Sequence, residues 1–437
     1  MAMLTFERDV ILRGVRRIYH FLHGGSIVEL INDLNVRLSV PSIKRNYGKT
    51  LLRLKANAPD KIRIVFLVSD CCKWKVQSVY DKLSCDKRFD MVVAVSLYGW
   101  HEDIHAAEEK AHVTHAYFKN RGIPVEYAYS FERQAPIPLE KFQPDIVFYD
   151  QPWDVFPCHM PKIVSRRALT CYVDYGIPTF EVGTLHCALP FHRMLFCHYT
   201  ISENWTRLAE RVCAKYKMSG SMIPVGYPAL DTYSGYCSDF KYGDDYVIYA
   251  PHWSFPHPDN PNNLNLSTFL WSGKAILDYA NAHKEVRWVF KPHPVLENVL
   301  IKSGIMTKDE VHSYYEAWDK VGDCCYTGDY SELFKKSRVM ITDSASFLTE
   351  YACTGCPLIH LINSEFPAQF CQLNKALFST YYQVRSPEEL EPMLDKIIIK
   401  REDPNRGARL AAAKAMNLTG VDAAGNIVAH LENLIWG

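Results

Sequence analysis

The stretch VMITDSASFLTEYACTGCPLI, Val339–Ile359, decides how the second half of this chain is interpreted. A second stretch, VFKPHP at Val289–Pro294, has the same design. In each, a short apolar run ends in small, polar or basic residues, as buried parallel strands do in alternating α/β proteins. Ligands of such proteins bind just beyond the carboxyl ends of the strands. The two stretches therefore predict a phosphate or nucleotide pocket.

Strand-like apolar runs alternate with helical patterns along most of the chain. One series starts at IRIVFLVS, residues 62–69, and a second at DYVIYAPHWS, residues 245–254, after a turn-rich linker at Ser234–Asp245. Such alternation implies right-handed βαβ units and parallel sheets. We therefore predict an α/β fold with two Rossmann-like domains facing a central cleft. The predicted segments are a basic helical segment over 1–60, an N-terminal acceptor domain over 61–235, a C-terminal nucleotide-donor domain over 236–400, and C-terminal helices over 401–437.

Size and charge exclude several classes of protein. A chain of 437 residues is long enough for two domains. Its formal net charge is zero, which argues against nucleic acid as a partner because that role needs a basic field. The sequence contains no G-x-G-x-x-G, so an NAD dehydrogenase is disfavoured. It also lacks an apolar run of about 18 residues that would cross a membrane.

Residues 1–60 differ in composition from the rest of the chain. They carry ten Lys or Arg and five acidic residues, interleaved with apolar ones. This pattern is typical of amphipathic basic helices that lie on an anionic membrane surface. A helical appendage packed on the first domain, with a solvated basic face, produces the same pattern, and both interpretations stay open.

The cysteines indicate a reducing compartment. Of 14 Cys, only Cys353 and Cys356 have C-x-x-C spacing, and no second pair accompanies them, so a zinc site is disfavoured. The charged residues Glu7, Arg8 and Asp9 stand where a secretory signal would need an apolar run. We expect free thiols and a cytoplasmic location.

The strand end at Thr342 is followed by a predicted helix start. Asp343 or Ser344 is expected to cap that helix, and the N–H groups together with Ser346 would then face an anion. Capping alone would also explain these residues. Glu350, one turn later, is placed to accept hydrogen bonds from a ribose diol, although such a residue is more often solvated.

The segment KPHP places Lys291 and His293 at another strand end. Its two prolines stiffen the turn, which favours a positioned imidazole that donates to a phosphate or protonates a leaving oxygen. A turn histidine packed on Trp288 is the alternative. His252, in YAPHW, and Gly226, in GYPALD, are further candidates for the donor pocket, although the Gly-Tyr-Pro turn would also serve as a hinge.

In this order, GYPALD, YAPHW, FKPHP and ITDSASFLTEY followed by GCP resemble the CDP-glycerol glycerophosphotransferase family, the teichoic-acid primases and polymerases. The resemblance covers roughly Pro224–Ile362. It implies a GT-B fold, a CDP-linked donor bound as substrate by the C-terminal domain, and no metal or other cofactor. It also implies a glycan or lipid-linked acceptor, and peripheral attachment to the anionic inner face of the cell membrane.

The resemblance assigns roles to particular residues. His293 matches the phosphate-contacting histidine and Ser346 a donor-binding serine, while Ala345 replaces a serine of the usual pattern. The implied donor-binding set is Lys291, Thr342, Asp343, Ser344, Ser346, Glu350, Gly226 and His252.

Two positions depart from the family pattern. The usual His-Gly-Thr is Asp174-Tyr175-Gly176 here, so the base would be Asp174, or else His186 or His192 nearby. The arginine that usually follows the Trp of the YAPHW-type motif is Ser254.

Three functions fit these observations. The first is transfer of glycerol phosphate, or a related polyol or sugar phosphate, from a CDP-linked donor to a hydroxyl during synthesis of a cell-surface polymer. The second is a GT-B glycosyltransferase that uses a nucleotide sugar, since E-x-x-x-x-G-x-P at Glu350–Pro357 is shared by many such enzymes. The third is a non-catalytic nucleotide-binding subunit of a surface-polymer complex.

Overall fold

The computed structural model of the chain describes residues 27–57, 61–180, 186–233, 246–255, 265–324, 330–365 and 370–437. The strands are β1 Ile62–Val68, β2 Phe89–Val95, β3 Val125–Tyr127, β4 Tyr129–Ser130, β5 Ala135–Pro136, β6 Ile146–Tyr149, β7 Leu169–Val173, β8 Cys197–Thr200, β9 Ser221–Pro224, β10 Tyr246–Ala250, β11 Trp288–Phe290, β12 Asp323–Cys324, β13 Ser337–Thr342, β14 Leu358–Leu361 and β15 Tyr382–Val384.

The α-helices follow or separate these strands. They are α1 Ile27–Asn57, α2 Gln77–Ser84, α3 Ile104–Asn120, α4 Pro161–Val164, α5 Pro190–Arg193, α6 Glu203–Cys213, α7 Phe269–Ala282, α8 Leu296–Lys302, α9 Lys308–Val321, α10 Ser331–Lys336, α11 Ala345–Glu350, α12 Lys375–Phe378, α13 Pro387–Leu394, α14 Arg406–Ala415 and α15 Ala423–Trp436. Short 3-10 helices include Pro228–Tyr233 and Tyr351–Thr354.

Two parallel sheets form the framework. The first has seven strands in the order β3-β2-β1-β6-β7-β8-β9, and the second has six in the order β12-β11-β10-β13-β14-β15. In each sheet the chain moves outward in one direction, returns to the middle and continues in the other. The reversal lies between β1 and β6 in the first sheet and between β10 and β13 in the second, and these are the switch points at which open α/β sheets bind ligands. The predicted α/β class with two Rossmann-like sets is confirmed.

Both sheets are covered on both faces. Ile64 and Phe66 of β1 belong to one apolar core of the first domain, whereas Val65 and Leu67 belong to the core on the opposite face. Successive residues of β10 alternate in the same way between two cores of the second domain. This double burial explains why the strands appear in the sequence as continuous apolar, β-branched runs.

The C-terminal helices are shared between the two domains. α14 lies against the second domain, where the buried guanidinium of Arg409 donates to Gly355 O (2.8 Å) and pairs with Asp403 (2.5 Å). α15 instead returns to the first domain, and Ile427 and Leu431 lie in the same core as β1. The predicted segment 401–437 therefore contributes to both cores.

α1 packs along the first domain. Val36, Val40, Ile43 and Leu54 are buried in its core, and the Tyr47 hydroxyl donates to Met194 O at 2.7 Å. The predicted packed appendage is therefore what residues 32–56 form. Residues 1–26 of the predicted basic segment lie outside the described residues, and membrane contact stays a prediction. No helix in the described ranges combines the length and apolarity needed to span a bilayer.

Gly226 lies where the chain leaves the first sheet, and its conformation and surroundings both require glycine. Its φ is +107°, which side-chain-bearing residues rarely adopt. A Cβ there would lie 2.7 Å from Val421 Cγ1 and 2.8 Å from Ala423 Cβ. The turn is thus a packing point for the returning C-terminal segment, which favours the hinge interpretation of GYPALD.

We expect Gly226→Ala to lower the free energy of unfolding by about 2 kcal/mol or more, because overpacking adds to backbone strain. Gly407→Ala is the matched control, since a Cβ at Gly407 meets no atom within 4 Å and its φ is not positive. Urea denaturation of both variants measures the difference. Equal stability of the two variants would show that the turn relaxes without cost.

Candidate functional site

The Asp343 carboxylate connects two loops at the switch point of the second sheet by hydrogen bonds. One carboxylate oxygen accepts from His252 N (2.6 Å), and the other accepts from Thr268 N (2.6 Å) and Thr268 Oγ1 (2.9 Å). Burial raises the pKa of Asp343 to about 6, and these hydrogen bonds oppose the rise. Because protein groups occupy the carboxylate, the geometry favours a positioning role for Asp343 over the predicted contact with the donor.

The start of α11 agrees with the predicted cap in its position. Ser344 is the N-cap residue, one of the two positions predicted, but its side chain makes no capping hydrogen bond. Thr342 Oγ1 instead accepts from Ser344 N (2.9 Å) and donates to Ala250 O (2.6 Å). Ser344 is buried, whereas Ser346 is exposed and open to a ligand.

Lys291 and His293 lie at the end of β11. Lys291 is buried, and its ammonium lies 5.3 Å from the ring centroid of Tyr330 and 5.9 Å from that of Phe347. His293 is half-buried, and its Nδ1 accepts from Val295 N at 3.3 Å. Burial, and secondarily the charge of Lys291, lowers the pKa of His293 to about 4. The ring is therefore neutral near pH 7, with its proton on Nε2 available for donation.

The His252 ring packs against the His293 ring. Their ring centroids are 5.4 Å apart, and the Trp253 ring lies 5.9 Å from His293. These contacts replace the packing on Trp288 that the alternative interpretation required. His252 Nδ1 accepts from Ser254 N (3.2 Å) and lies 2.8 Å from Ser254 Oγ, while burial lowers the pKa of His252 to about 3. His252 is thus a buried neutral group that shapes the pocket.

Glu350 is connected to the other domain. It is buried, contrary to the expectation for an ordinary solvated helix residue, and it accepts from the Tyr330 hydroxyl. That hydroxyl accepts in turn from Lys75 Nζ at 3.0 Å. Lys75 precedes α2 of the first domain, so this chain of hydrogen bonds crosses the cleft.

Asp174 follows β7 of the first domain and is held by a histidine. Its Oδ1 accepts from His198 Nε2 at 2.9 Å, and 20% of its side chain is exposed. His186 is exposed, with its ring 5.0 Å from that of Trp153. His192 is buried, and neither ring nitrogen has a partner among the described residues. Of the three predicted bases, Asp174 and His186 are accessible and His192 is not.

The loop that carries Asp174 reaches the second domain. Thr179 Oγ1 donates to Ala345 O at 3.1 Å, and Asn374 Nδ2 donates to Pro178 O at 2.9 Å. These contacts bring the loop beside the start of α11. The acceptor-side candidate and the donor-side candidates therefore face one cleft.

The first sheet has a half-buried aspartate at its own switch point, which was not predicted from the sequence. Asp150 follows β6 and accepts from Ser69 N (2.7 Å) and Ser69 Oγ (2.9 Å) beyond β1. Burial raises its pKa to about 6. Beside it, Lys73 Nζ donates to Gln151 Oε1 at 2.7 Å, next to a small pocket that Lys73 and Asp150 help to line. The signal was present, because Asp ends the strand in FYD as it does in ITD.

One group of side chains has the composition of a metal site. Asp70, Cys71 and Cys72 place three ligand atoms within 4.8 Å of one another, just beyond β1. A hydrogen bond from Cys72 lowers the pKa of the Cys71 thiol to about 7. This group lies in the first domain, away from the donor candidates.

No protein-family model and no curated protein matches this sequence. Solved structures resemble it. A variant of the wall teichoic acid polymerase TagF, soaked with CDPG, has a TM-score of 0.55 at 12% identity and covers 94% of this chain and 99% of that chain. UDP-GlcNAc 2-epimerase from Neisseria meningitidis, bound to UDP-GlcNAc, has a TM-score of 0.52 at 12% identity over 85% of this chain and 100% of that chain. The S. aureus MnaA–UDP structure has a TM-score of 0.52 at 13% identity over 85% and 97%.

These similarities establish the fold. Two Rossmann-like domains arranged as in these proteins constitute the GT-B architecture, in agreement with the prediction. Identities of 12–13% carry no information about which donor this chain uses.

We expect Asp343→Ala to lower the free energy of unfolding by roughly 3 kcal/mol, because it leaves buried donors of His252 and Thr268 without an acceptor. Asp319→Ala on the exposed side of α9 is the control and should change stability little. Urea denaturation measures both. A loss below about 1 kcal/mol for Asp343→Ala would mean that water replaces the carboxylate.

Proposed function

We propose that this protein transfers glycerol phosphate, or a related polyol or sugar phosphate, from a CDP-linked donor to a hydroxyl of a glycan or lipid-linked acceptor. The proposal rests on the placement of three groups. The buried Lys291 and the neutral His293 lie at the end of one strand, and Asp174 lies across the cleft from them. A cation and a fixed N–H donor suit a diphosphate, and an accessible carboxylate suits a hydroxyl that must lose a proton.

The proposed reaction is a single displacement at phosphorus. The acceptor hydroxyl attacks the β-phosphorus of the donor, and its proton passes to Asp174. The new O–P bond forms as the bond to the bridging oxygen breaks, and CMP leaves with that electron pair. Lys291 and the Nε2–H of His293 stabilise the negative charge on the phosphoryl groups. This scheme uses side chains alone for charge stabilisation, and the absence of a metal requirement is part of the proposal.

The rest of the predicted pocket has supporting roles in this proposal. Glu350, held by Tyr330, is placed for the ribose diol of the nucleoside. Ser346 is placed for a donor oxygen because it is exposed at the start of α11. Asp343, Thr342 and His252 hold the strand ends in position rather than bind the donor.

The cytoplasmic face of the membrane is the proposed place of action. α1 exposes Lys44, Arg45 and Lys49 on the side turned away from the first domain, and the leucines Leu34 and Leu38 are exposed on the same helix. A basic, partly apolar helix face suits an anionic lipid surface.

A nucleotide-sugar enzyme is the second candidate. The epimerase structure with UDP-GlcNAc and the MnaA structure with UDP have nearly the same TM-score as the polymerase structure. Thermal shifts with CDP, UDP, GDP and CMP separate the donor classes, because at equal concentration the ligand that binds more tightly stabilises the fold more. We expect the largest shift with CDP, and a larger shift with UDP would favour the second candidate.

Nucleotide release from CDP-glycerol and from UDP- or CMP-sugars then identifies the reaction. CDP binding without any turnover would favour a non-catalytic subunit.

We expect His293→Ala to reduce turnover of the CDP-linked donor about 100-fold while the protein stays folded, because one fixed donor to the developing charge is lost. His312→Ala is the control, because His312 is exposed on α9 and its Nε2 pairs with Glu316 Oε1, at 3.1 Å, on the surface. CMP release measures turnover, and circular dichroism checks the fold. Near-normal turnover of His293→Ala would remove His293 from the mechanism.

A further inference from the structure

Tyr227 has an unusual hydroxyl group. The residue follows Gly226 and is 2% exposed, and among the described residues its hydroxyl oxygen has no hydrogen-bond partner. Several other buried tyrosines do have partners, including Tyr47 with Met194 O and Tyr149 with His159 O, both at 2.7 Å. A buried hydroxyl without a partner is destabilising, so a ligand or a water is needed as the partner of Tyr227.

The position of Tyr227 is at the junction of the two domains. The residue comes from the first half of the chain, yet its ring belongs to a core of the second domain that also contains Ile177 and Leu348. Ile177 lies in the loop that carries Asp174, and Leu348 lies in α11, the helix that ends at Glu350. Tyr227 therefore stands between the candidate base and the candidate ribose contact.

The electrostatic surroundings agree with this position. Burial first, and then the charges of Glu350 and Asp174, raises the pKa of Tyr227 well above its usual value. The hydroxyl therefore keeps its proton and can donate it to an acceptor oxygen. Tyr175, in the loop that carries Asp174, also interacts electrostatically with Tyr227 and is 36% exposed, so a partly accessible group lies near the buried hydroxyl.

We propose that the Tyr227 hydroxyl donates a hydrogen bond to a β-phosphoryl oxygen of a bound nucleoside diphosphate. Between a ribose held by Glu350 and an acceptor hydroxyl next to Asp174 lies the diphosphate, and its β-phosphoryl group is the part nearest the acceptor. This assignment rests on the proposed function for the placement of the donor. It adds a contact at the phosphorus that reacts.

Tyr227→Phe tests the proposal, because it removes the hydroxyl and leaves the ring. We expect the affinity for CDP to fall roughly 10- to 100-fold, the range for a hydrogen bond to a charged group. The affinity for CMP, which lacks the β-phosphate, should not change. The melting temperature of the ligand-free protein should stay the same or rise, because an unpaired buried hydroxyl is lost. Isothermal titration calorimetry and thermal denaturation measure these quantities.

Tyr47→Phe is the matched control. It removes a bonded hydroxyl far from the cleft, so the melting temperature should fall while CDP affinity stays at the wild-type value. A small pocket, with room for about one water, borders Tyr227 and the loop 417–421, and a water there is the competing explanation of the hydroxyl. That explanation predicts a lower melting temperature for Tyr227→Phe with unchanged CDP affinity, a result that would overturn the proposal. Equal losses for CDP and CMP would overturn it too.

The outcome separates this proposal from the proposed function. Wild-type protein that binds CDP, with Tyr227→Phe binding it equally well, contradicts the role of Tyr227 alone. Wild-type protein that binds UDP instead of CDP contradicts the CDP-linked donor, and UDP with UMP then tests Tyr227 in the same way. Wild-type protein that binds no nucleoside diphosphate contradicts both.

Discussion

The arrangement of this protein depends on a carboxylate at the switch point of each sheet, half-buried in the first and buried in the second. Asp150 joins the ends of β6 and β1, and Asp343 joins the ends of β13 and β10. Parallel strands diverge at a switch point because their connecting helices leave toward opposite faces of the sheet. A carboxylate that accepts backbone N–H groups from the neighbouring strand end closes that gap. It also fixes the loops on which Lys73, His252 and the start of α11 depend.

Burial of these carboxylates has a cost that the hydrogen bonds only partly offset. The pKa of each is raised to about 6, which means that the surroundings disfavour the charged form. The same surroundings keep His252 and His293 neutral. The predicted donor side of the cleft therefore contains neutral imidazoles and a buried cation, Lys291. A diphosphate entering this environment would meet a cation and neutral N–H donors in place of water.

The strands were predictable from the sequence, whereas the side-chain hydrogen bonds around the strand ends were not. The runs IRIVFLV and RVMIT were recognisable because both faces of each sheet are covered, so the strands are continuously apolar. The strand-end positions of Lys291 and His293 followed in the same way from the run VRWVF at residues 286–290. The chain Lys75–Tyr330–Glu350 did not, because it depends on how two domains meet, which no local pattern encodes. Ser344 is the N-cap residue as predicted, but the hydrogen bonds around it were not predictable, because Thr342 and Asp343 use their side chains on backbone groups that include other strands and loops. The histidine that holds Asp174 was missed as well, because His198 lies inside an apolar strand and resembles a core residue.

The C-terminal helix has a consequence for how the cleft can open. The chain passes between the domains twice, once between residues 233 and 246 and once between α14 and α15. Asp231, on the first crossing, accepts from Ala423 N and Ala424 N at the start of α15, on the second, at 2.9 and 2.8 Å. The two crossings are therefore held together at one place, and the domains can separate least there. Gly226 and Tyr227 lie beside this place, since Gly226 packs against Val421 and Ala423. A group that must keep its distance to both domains as they move is best placed there.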